Sequence, residues 1–262
     1  MLNDDLFGFL AAKRQSLESA TDPVVFLETY DRFLEDLRSF AECTSESIER
    51  AVREHGPFYR RVQQRVLELR EFADADVLLA DADAPNKERG EQFSGAFAAD
   101  AYSRVADLAQ LADIPALRRI VVAGCGALPA TLLWMADHFP AADYVGIDFD
   151  DRCVATAARL ADHLMLNQVK FICMDAAEFD YSGVDFVFVA NQVRPKQRVL
   201  ERVAATIERA ISVVVREPTS IGRLLAEPVG DDLPPGYTVV RVGASSAAFL
   251  SRDLFLDLHL DA

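Results

Sequence analysis

The chain has 262 residues, of which 51% are apolar, enough for one large domain or two modest ones around a buried core. Its 42 acidic against 27 basic side chains leave a formal net charge of −15, and no Lys/Arg run offers a phosphate-tracking patch, so a nucleic-acid partner is disfavoured. The four cysteines, Cys43, Cys125, Cys153 and Cys173, lie far apart with no C-x-x-C pair and no histidine cluster. No metal is expected, and Cys125 and Cys173 read as reduced thiols that pack as small hydrophobes. The start, Met1 to Asp5, is acidic and lacks a basic targeting region, and no apolar stretch approaches the ~20 residues that cross a bilayer. The expectation is a soluble, cytoplasmic protein without a membrane partner.

From Leu2 to about Leu117 the apolar residues recur at helical spacing, as in Phe26, Tyr30, Phe33, Leu34, Leu37 and Phe40, with charges on the other face. This half, residues 1–117, reads as a helical bundle on the substrate side. Thr21-Asp22-Pro23 combines a capping residue with a helix-starting proline, and Thr44 to Ser47 resembles the opening of a third helix, expected from Glu46 to about Phe72. The polar, punctuated stretch from Asp81 to Gly95 reads as a loop, either a lid or a plain surface connection.

From Arg118 onward short β-branched runs alternate with helical segments. Strands are expected at Arg119–Ala123, Tyr144–Asp148, Lys170–Met174, Val184–Ala190 and Ser212–Arg216, and helices at Pro129–Phe139, Asp151–Leu166 and Pro195–Ala210. Tyr237–Val242 and Leu254–Leu260 alternate with the period of two that marks antiparallel strands. Residues 118–262 therefore read as a Rossmann-like α/β domain with a parallel sheet and a C-terminal antiparallel hairpin. That tail is a feature of class I transferases that use S-adenosylmethionine (SAM), and plain dinucleotide-binding domains usually lack it.

Gly124 and Gly126 follow the first parallel strand and precede a helix, where a Gly-x-Gly turn lets a ligand approach the backbone and the helix N-terminal N–H groups. Pro129 stands in place of the third glycine of the dinucleotide fingerprint, which would cost a pyrophosphate its close helix contact but costs a SAM carboxylate little. Asp148 ends the second strand, where a carboxylate can accept both ribose hydroxyls, with Asp150 or Asp151 as the fallback. Asp175, followed by Ala176, is placed to accept the adenine amino group, and Asn191 at the end of the fourth strand faces the reactants. Asp175 also reads as an ordinary strand-end turn residue.

Gly124-Cys125-Gly126-Ala127-Leu128-Pro129-Ala130-Thr131 resembles the Gly-x-Gly-x-Leu-Pro-x-Thr loop of the nicotianamine synthase family, including its smaller bacterial opine-metallophore relatives. Further similarity lies in Phe188 to Val193 and in Val215-Arg216 followed by Arg223, Leu224, Leu225 and Pro228. The resemblance is convincing over about Tyr102 to Pro228. It implies that Gly124, Gly126, Leu128, Pro129, Thr131, Asp148, Asp175, Ala176 and Asn191 hold SAM. It also implies transfer of the 3-amino-3-carboxypropyl arm to an amine with release of methylthioadenosine. Tyr102 matches the family's tyrosine before the first strand, and Asp74-Ala75-Asp76 stands where the family has Glu-Ala-Glu, one methylene shorter on each acid. On this reading Tyr102, Asp76 and Asn191 are catalytic candidates, while Asp74, Arg216 and Arg223 bind substrate. The bland readings stand beside them: Tyr102 as junction packing, Asp74 and Asp76 as a solvated acidic face, the arginines as ion-pair partners.

Three chemistries share this site: aminocarboxypropyl transfer to an amino acid, intramolecular cyclisation of SAM to azetidine-2-carboxylate, and ordinary small-molecule methyl transfer. A SAM-binding regulatory protein without turnover is the reading from another class. Apolar stripes on the N-terminal helices could bury against the sheet domain or against a second subunit, so a homodimer is open.

Overall fold

The computed structural model describes residues 2–87, 89–92, 108, 117–230, 233–244 and 250–259. The N-terminal half forms helices α1 (Leu2–Ser19), α2 (Pro23–Leu37) and α3 (Ser45–Ala80), followed by a single turn, α4 (Arg89–Gln92). Asp22 caps α2 by accepting from the N–H groups of Val24 and Val25, and Pro23 opens the helix. Thr44 caps α3 in the same way through Ser47. Helix α3 passes the expected end near Phe72 and reaches Ala80, because Ala73 to Ala80 contains good helix formers and no breaker. At 1.5 Å per residue it is about 54 Å long, enough to cross the bundle and the edge of the sheet.

Its two ends are buried on different partners. Ile48, Tyr59 and Val66 pack with Leu6, Leu10, Phe26 and Phe33 in the bundle core, which Ile221, Leu224, Leu225 and Leu250 complete from the other half. Beyond Val66 the buried side turns over: Ala75 and Leu78 pack with Leu128, Leu133, Leu160 and Leu164. Tyr59 is fully buried, stacks on Phe33 at 4.7 Å between centroids and donates from its hydroxyl to the Leu10 carbonyl at 2.6 Å.

The second half is a seven-stranded sheet in the order β3-β2-β1-β4-β5-β7-β6. The strands are β1 (Arg119–Ala123), β2 (Asp143–Asp148), β3 (Val169–Cys173), β4 (Phe186–Val189), β5 (Ile211–Pro218), β6 (Tyr237–Val242) and β7 (Ser251–Leu258). The first five in chain order run parallel, and β7 enters antiparallel between β5 and β6. Helices α5 (Ala130–His138), α6 (Asp151–His163) and α7 (Lys196–Thr206) are the crossovers. Alternation along the strands sorts the two cores: Val121, Ala123, Val187 and Val189 face Val199, Leu200 and Val203 of α7, while Val122, Phe186 and Phe188 face Trp134 and Met135 of α5. Every expected strand and crossover helix is present within a few residues of its expected bounds. The order reverses between β1 and β4, and ligands of open α/β sheets bind outside the carboxyl ends of the strands at such a switch point.

The loop expected from Asp81 contains a turn of 3-10 helix at Ala84–Asn86 and then α4, and it packs down rather than standing free. Ala84 is fully buried, Gln92 donates to the carbonyls of Ala84 and Lys87, and His163 of α6 meets the Asp81 carbonyl at 3.0 Å. The rest of that stretch, from residue 93, lies outside the described residues. Among the described residues no helix is long and apolar enough to cross a membrane, and no group of His, Cys, Asp and Glu could hold a metal ion.

Removing one hydroxyl tests the bundle core: Tyr59→Phe takes away the second donor to the Leu10 carbonyl, which keeps its bond within α1, and urea unfolding should show a loss of about 0.5–1.5 kcal/mol.

Candidate functional site

A cavity of 940 Å³ opens at the carboxyl ends of β1, β2, β3 and β4 and is roofed by α2 and α3. Its floor is the turn after β1. Gly124 (φ +74°) and Gly126 (φ +69°) are left-handed, a conformation that strains any residue with a side chain. A Cβ on Gly124 would lie 2.5 Å from Val193 Cγ2, and one on Gly126 would lie 2.3 Å from Glu71 Oε2. The dihedrals favour glycine at both positions, and a Cβ on Gly126 would in addition displace the Glu71 carboxylate. The Gly124 and Cys125 N–H groups donate to the Ile147 carbonyl at 2.8 and 3.1 Å, which ties the turn to β2.

The next two amides meet carboxylates from opposite walls. Gly126 N–H donates to Asp148 Oδ2 and Ala127 N–H donates to Glu71 Oε2, each at 2.9 Å. Asp148 ends β2 and also accepts from the Asp150 N–H at 3.1 Å through its other oxygen. Burial pushes its carboxyl above the ordinary range, against the lowering effect of the Asp150 and Gly126 hydrogen bonds. Burial also pushes the Cys125 thiol well up, and the charges of Asp148 and Glu71 add to it, which disfavours the thiolate.

Asp150 is occupied elsewhere. It caps α6 through the Arg152 N–H, and the Arg152 guanidinium beside it at 2.6 Å holds its carboxyl below the ordinary range. Asp151 is exposed in the first turn of α6, which leaves Asp148 as the acid at the cavity floor. Asp175 accepts from the Ala177 N–H at 2.9 Å and lines the cavity with Ala176. Leu128, Pro129 and Thr131 also line it, with Pro129 just ahead of α5 rather than inside it. Asn191 lines the wall after β4, and its side-chain oxygen is buried without a hydrogen-bond partner among the described residues.

Beside the cavity, helix α3 meets the sheet domain through a stripe of residues three and four apart. Gln64 accepts from Arg194 at 3.0 Å, Glu68 lies 3.9 Å from Arg152, Glu71 takes the Ala127 N–H, and Ala75 and Leu78 pack on Leu128. Sequence reasoning placed the site acids at Asp74 and Asp76. Neither lines the cavity: Asp74 is half-buried at the edge of the stripe and Asp76 is exposed on its far side. Glu68 and Glu71 are the acids that α3 carries to the cavity, with Glu71 the one bonded to the turn, and the available signal was a carboxylate in step with Ala75 and Leu78. Phe149, also missed, stands 72% exposed at the rim beside Asp148. Tyr102 lies outside the described residues.

The arginines divide. Arg216 reaches the cavity wall, yet its guanidinium is buried against Asp253 in a two-point pair at 2.8 and 3.0 Å and lies over the Phe188 ring. Arg223 does not line the cavity and sits 3.8 Å from Glu49. Each makes an ion pair, and of the two only Arg216 is at the cavity wall. Asp253→Ala would leave the Arg216 charge buried without this partner, and chemical unfolding should show a loss of about 3–5 kcal/mol.

A family model described as a methyltransferase domain matches residues 120–212, the sheet from β1 into β5. No curated protein sequence is significantly similar to the chain. Among solved structures, MtNAS, a nicotianamine synthase, matches almost end to end. Its glutamate-to-glutamine variant superposes with a TM-score of 0.79 at 16% identity, over 99% of this chain and 99% of that one. The same variant in complex with S-adenosylmethionine gives 0.77 at 16% identity, over 97% and 98%. MtNAS in complex with MTA and tNA gives 0.78 at 17% identity, over 98% of each chain. The agreement takes in the helical half as well as the sheet, so the protein has the nicotianamine synthase fold throughout.

Proposed function

We propose that the cavity binds SAM and that the protein is a transferase of the nicotianamine synthase type, moving the 3-amino-3-carboxypropyl arm to an amine and releasing methylthioadenosine. The observation that carries this reading is the glycine turn held between Asp148 and Glu71, two carboxylates from the two halves of the chain that face one cavity. SAM bears a sulfonium cation. The cavity is lined by Asp31, Glu68, Glu71, Asp148, Asp150 and Asp175 against Arg38, Arg70, Arg194 and Arg216, and the two carboxylates that meet at the glycine turn favour a positive guest there. Asp148 would accept the ribose hydroxyls, Asp175 and Ala176 would meet the adenine edge, and the exposed Phe149 ring offers the base a flat apolar face. The methionine arm then points along the turn toward α3.

The positive sulfur leaves without an acid, so the protein has two tasks. One is to hold the methylene carbon in line with the nucleophile at near-attack distance, ~3–3.5 Å. The other is to take the amine's proton, and an α-amino group with a pKa of about 8 needs only modest help from a nearby base. Glu71 suits that second task, since its carboxylate already stands over the turn where the arm would lie. Asn191 Oδ1, a buried acceptor without a partner among the described residues, would orient the amine by taking one of its N–H groups.

Room favours an external acceptor. The 940 Å³ cavity is near the upper end for small-molecule sites, about 300–1,000 Å³, and it extends past Glu71 to Tyr30, Gln63 and Arg70 in the bundle. Product analysis separates the chemistries. Methylthioadenosine that appears only when an amino acid is added is the expected result. Methylthioadenosine with azetidine-2-carboxylate from SAM alone would mean cyclisation, and S-adenosylhomocysteine would mean methyl transfer.

Two substitutions test the site. Asp148→Ala should weaken SAM binding by about 1.5–3 kcal/mol in calorimetry, the scale of hydrogen bonds to a charged group. Glu71→Gln keeps an acceptor for the Ala127 N–H but not a base, so it should cut kcat by about 10²–10⁴ with SAM affinity little changed.

A further inference from the structure

Lys196 is 1% exposed, although a charged amine resists burial unless it is well partnered. It opens α7, and its ammonium donates to two main-chain carbonyls, Asn191 at 2.7 Å and Glu227. The acids that face it are engaged with other cations. Glu217 of β5 accepts from Arg252 at 2.7 and 2.9 Å, and the Glu227 carboxylate pairs with Arg60 of α3 at 2.9 Å. Lys196 thus joins backbone to backbone: the loop after β4, whose Asn191 to Arg194 line the cavity, and the segment that Arg60 ties to the helical bundle. Arg60 also donates to the Arg223 carbonyl at 3.3 Å, which strengthens the second tie. The loop's placement matters because Val193 fills the space beside Gly124 that any Cβ there would need.

We propose that Lys196 is a positioning residue for the cavity: its ammonium clamps the Asn191 loop to the Glu227 segment, and the affinity of the site for SAM depends on that proton. The proposal rests on the reading of the cavity as a SAM site. A hydrophobic side chain would fill the same space at less cost, so the retained amine needs a role beyond packing. Burial lowers its pKa to about 7, against Glu217 and Glu227, which raise it, and with Arg60, which lowers it further. Loss of the proton leaves an amine that donates more weakly and no longer attracts the two acids.

Stability and affinity then respond to pH in opposite directions. The folded pKa lies below the unfolded value, so the unfolded chain holds more protons between about 7 and the ordinary lysine range, and stability rises with pH across that window. Affinity falls across the same titration. The test is the SAM dissociation constant by calorimetry from pH 6 to pH 8.5, with Tm recorded at each pH, for the wild type and Lys196→Met. The wild type should weaken about fivefold with a midpoint near 7. Lys196→Met should lack that step and bind at pH 6 as weakly as the wild type at pH 8.5, with its Tm no longer rising with pH. Lys196→Gln replaces it should the methionine variant fail to fold. A wild-type affinity that ignores pH, or a step that survives in the variant, would overturn the clamp alone. A wild type that binds no SAM at any pH would overturn the site assignment along with it.

Discussion

Two neighbouring backbone amides, Gly126 and Ala127, each donate to a carboxylate, one from β2 and one from α3. The rest of the site depends on this pair of bonds. The turn must be left-handed at both glycines to aim the amides apart, and the absence of a Cβ at Gly126 is what lets Glu71 approach. The strand end sets Asp148, because the parallel register puts Ile147 opposite Ala123 and so leaves the next residue just above the turn. The length of α3 sets Glu71, because Val66 is held in the bundle core and Ala75 in the cluster beside the sheet. The helical half is thus part of the site rather than an appendage to it.

The arrangement has an electrostatic cost. Two carboxylates converge on one turn, and burial raises the carboxyl of Asp148 above its ordinary range. Nearby acids would repel one another, and a cation between them relieves that repulsion. On the proposed function, the sulfonium and the amine of the substrate are those cations. Of the arginines that line the cavity, Arg216 is turned to Asp253 in a two-point pair, Arg70 pairs with Asp31 and Arg194 donates to Gln64, so none of these three contacts engages Asp148 or Glu71 at the floor.

The sheet was legible from sequence because period-two alternation and the Gly-x-Gly turn are local signals. β1 and β6 fall on their expected bounds, and Asp148, Asp175 and Asn191 all reach the cavity because strand ends converge there by topology. Glu71 was not legible. Its stripe on α3 is polar at Gln64, Glu68 and Glu71 and apolar only at Ala75 and Leu78, so no hydrophobic period marks it. The buried side of the helix also turns over past Val66, which makes Asp74 and Asp76 resemble site acids when only spacing is read. Arg216 and Arg223 were ambiguous for a related reason. Their partners, Asp253 and Glu49, are remote in sequence and only the fold brings them together.

The central claim is that the glycine turn presents the substrate's methionine arm to α3 while Asp148 holds its ribose. A crystal structure of the SAM complex tests this most directly. The expected result has Asp148 within ~3 Å of the ribose hydroxyls and the Glu71 carboxylate within ~3 Å of the substrate's amine or of an acceptor amine placed against the methylene carbon. A ribose bound away from the end of β2, or an arm directed away from Glu71, would contradict the account.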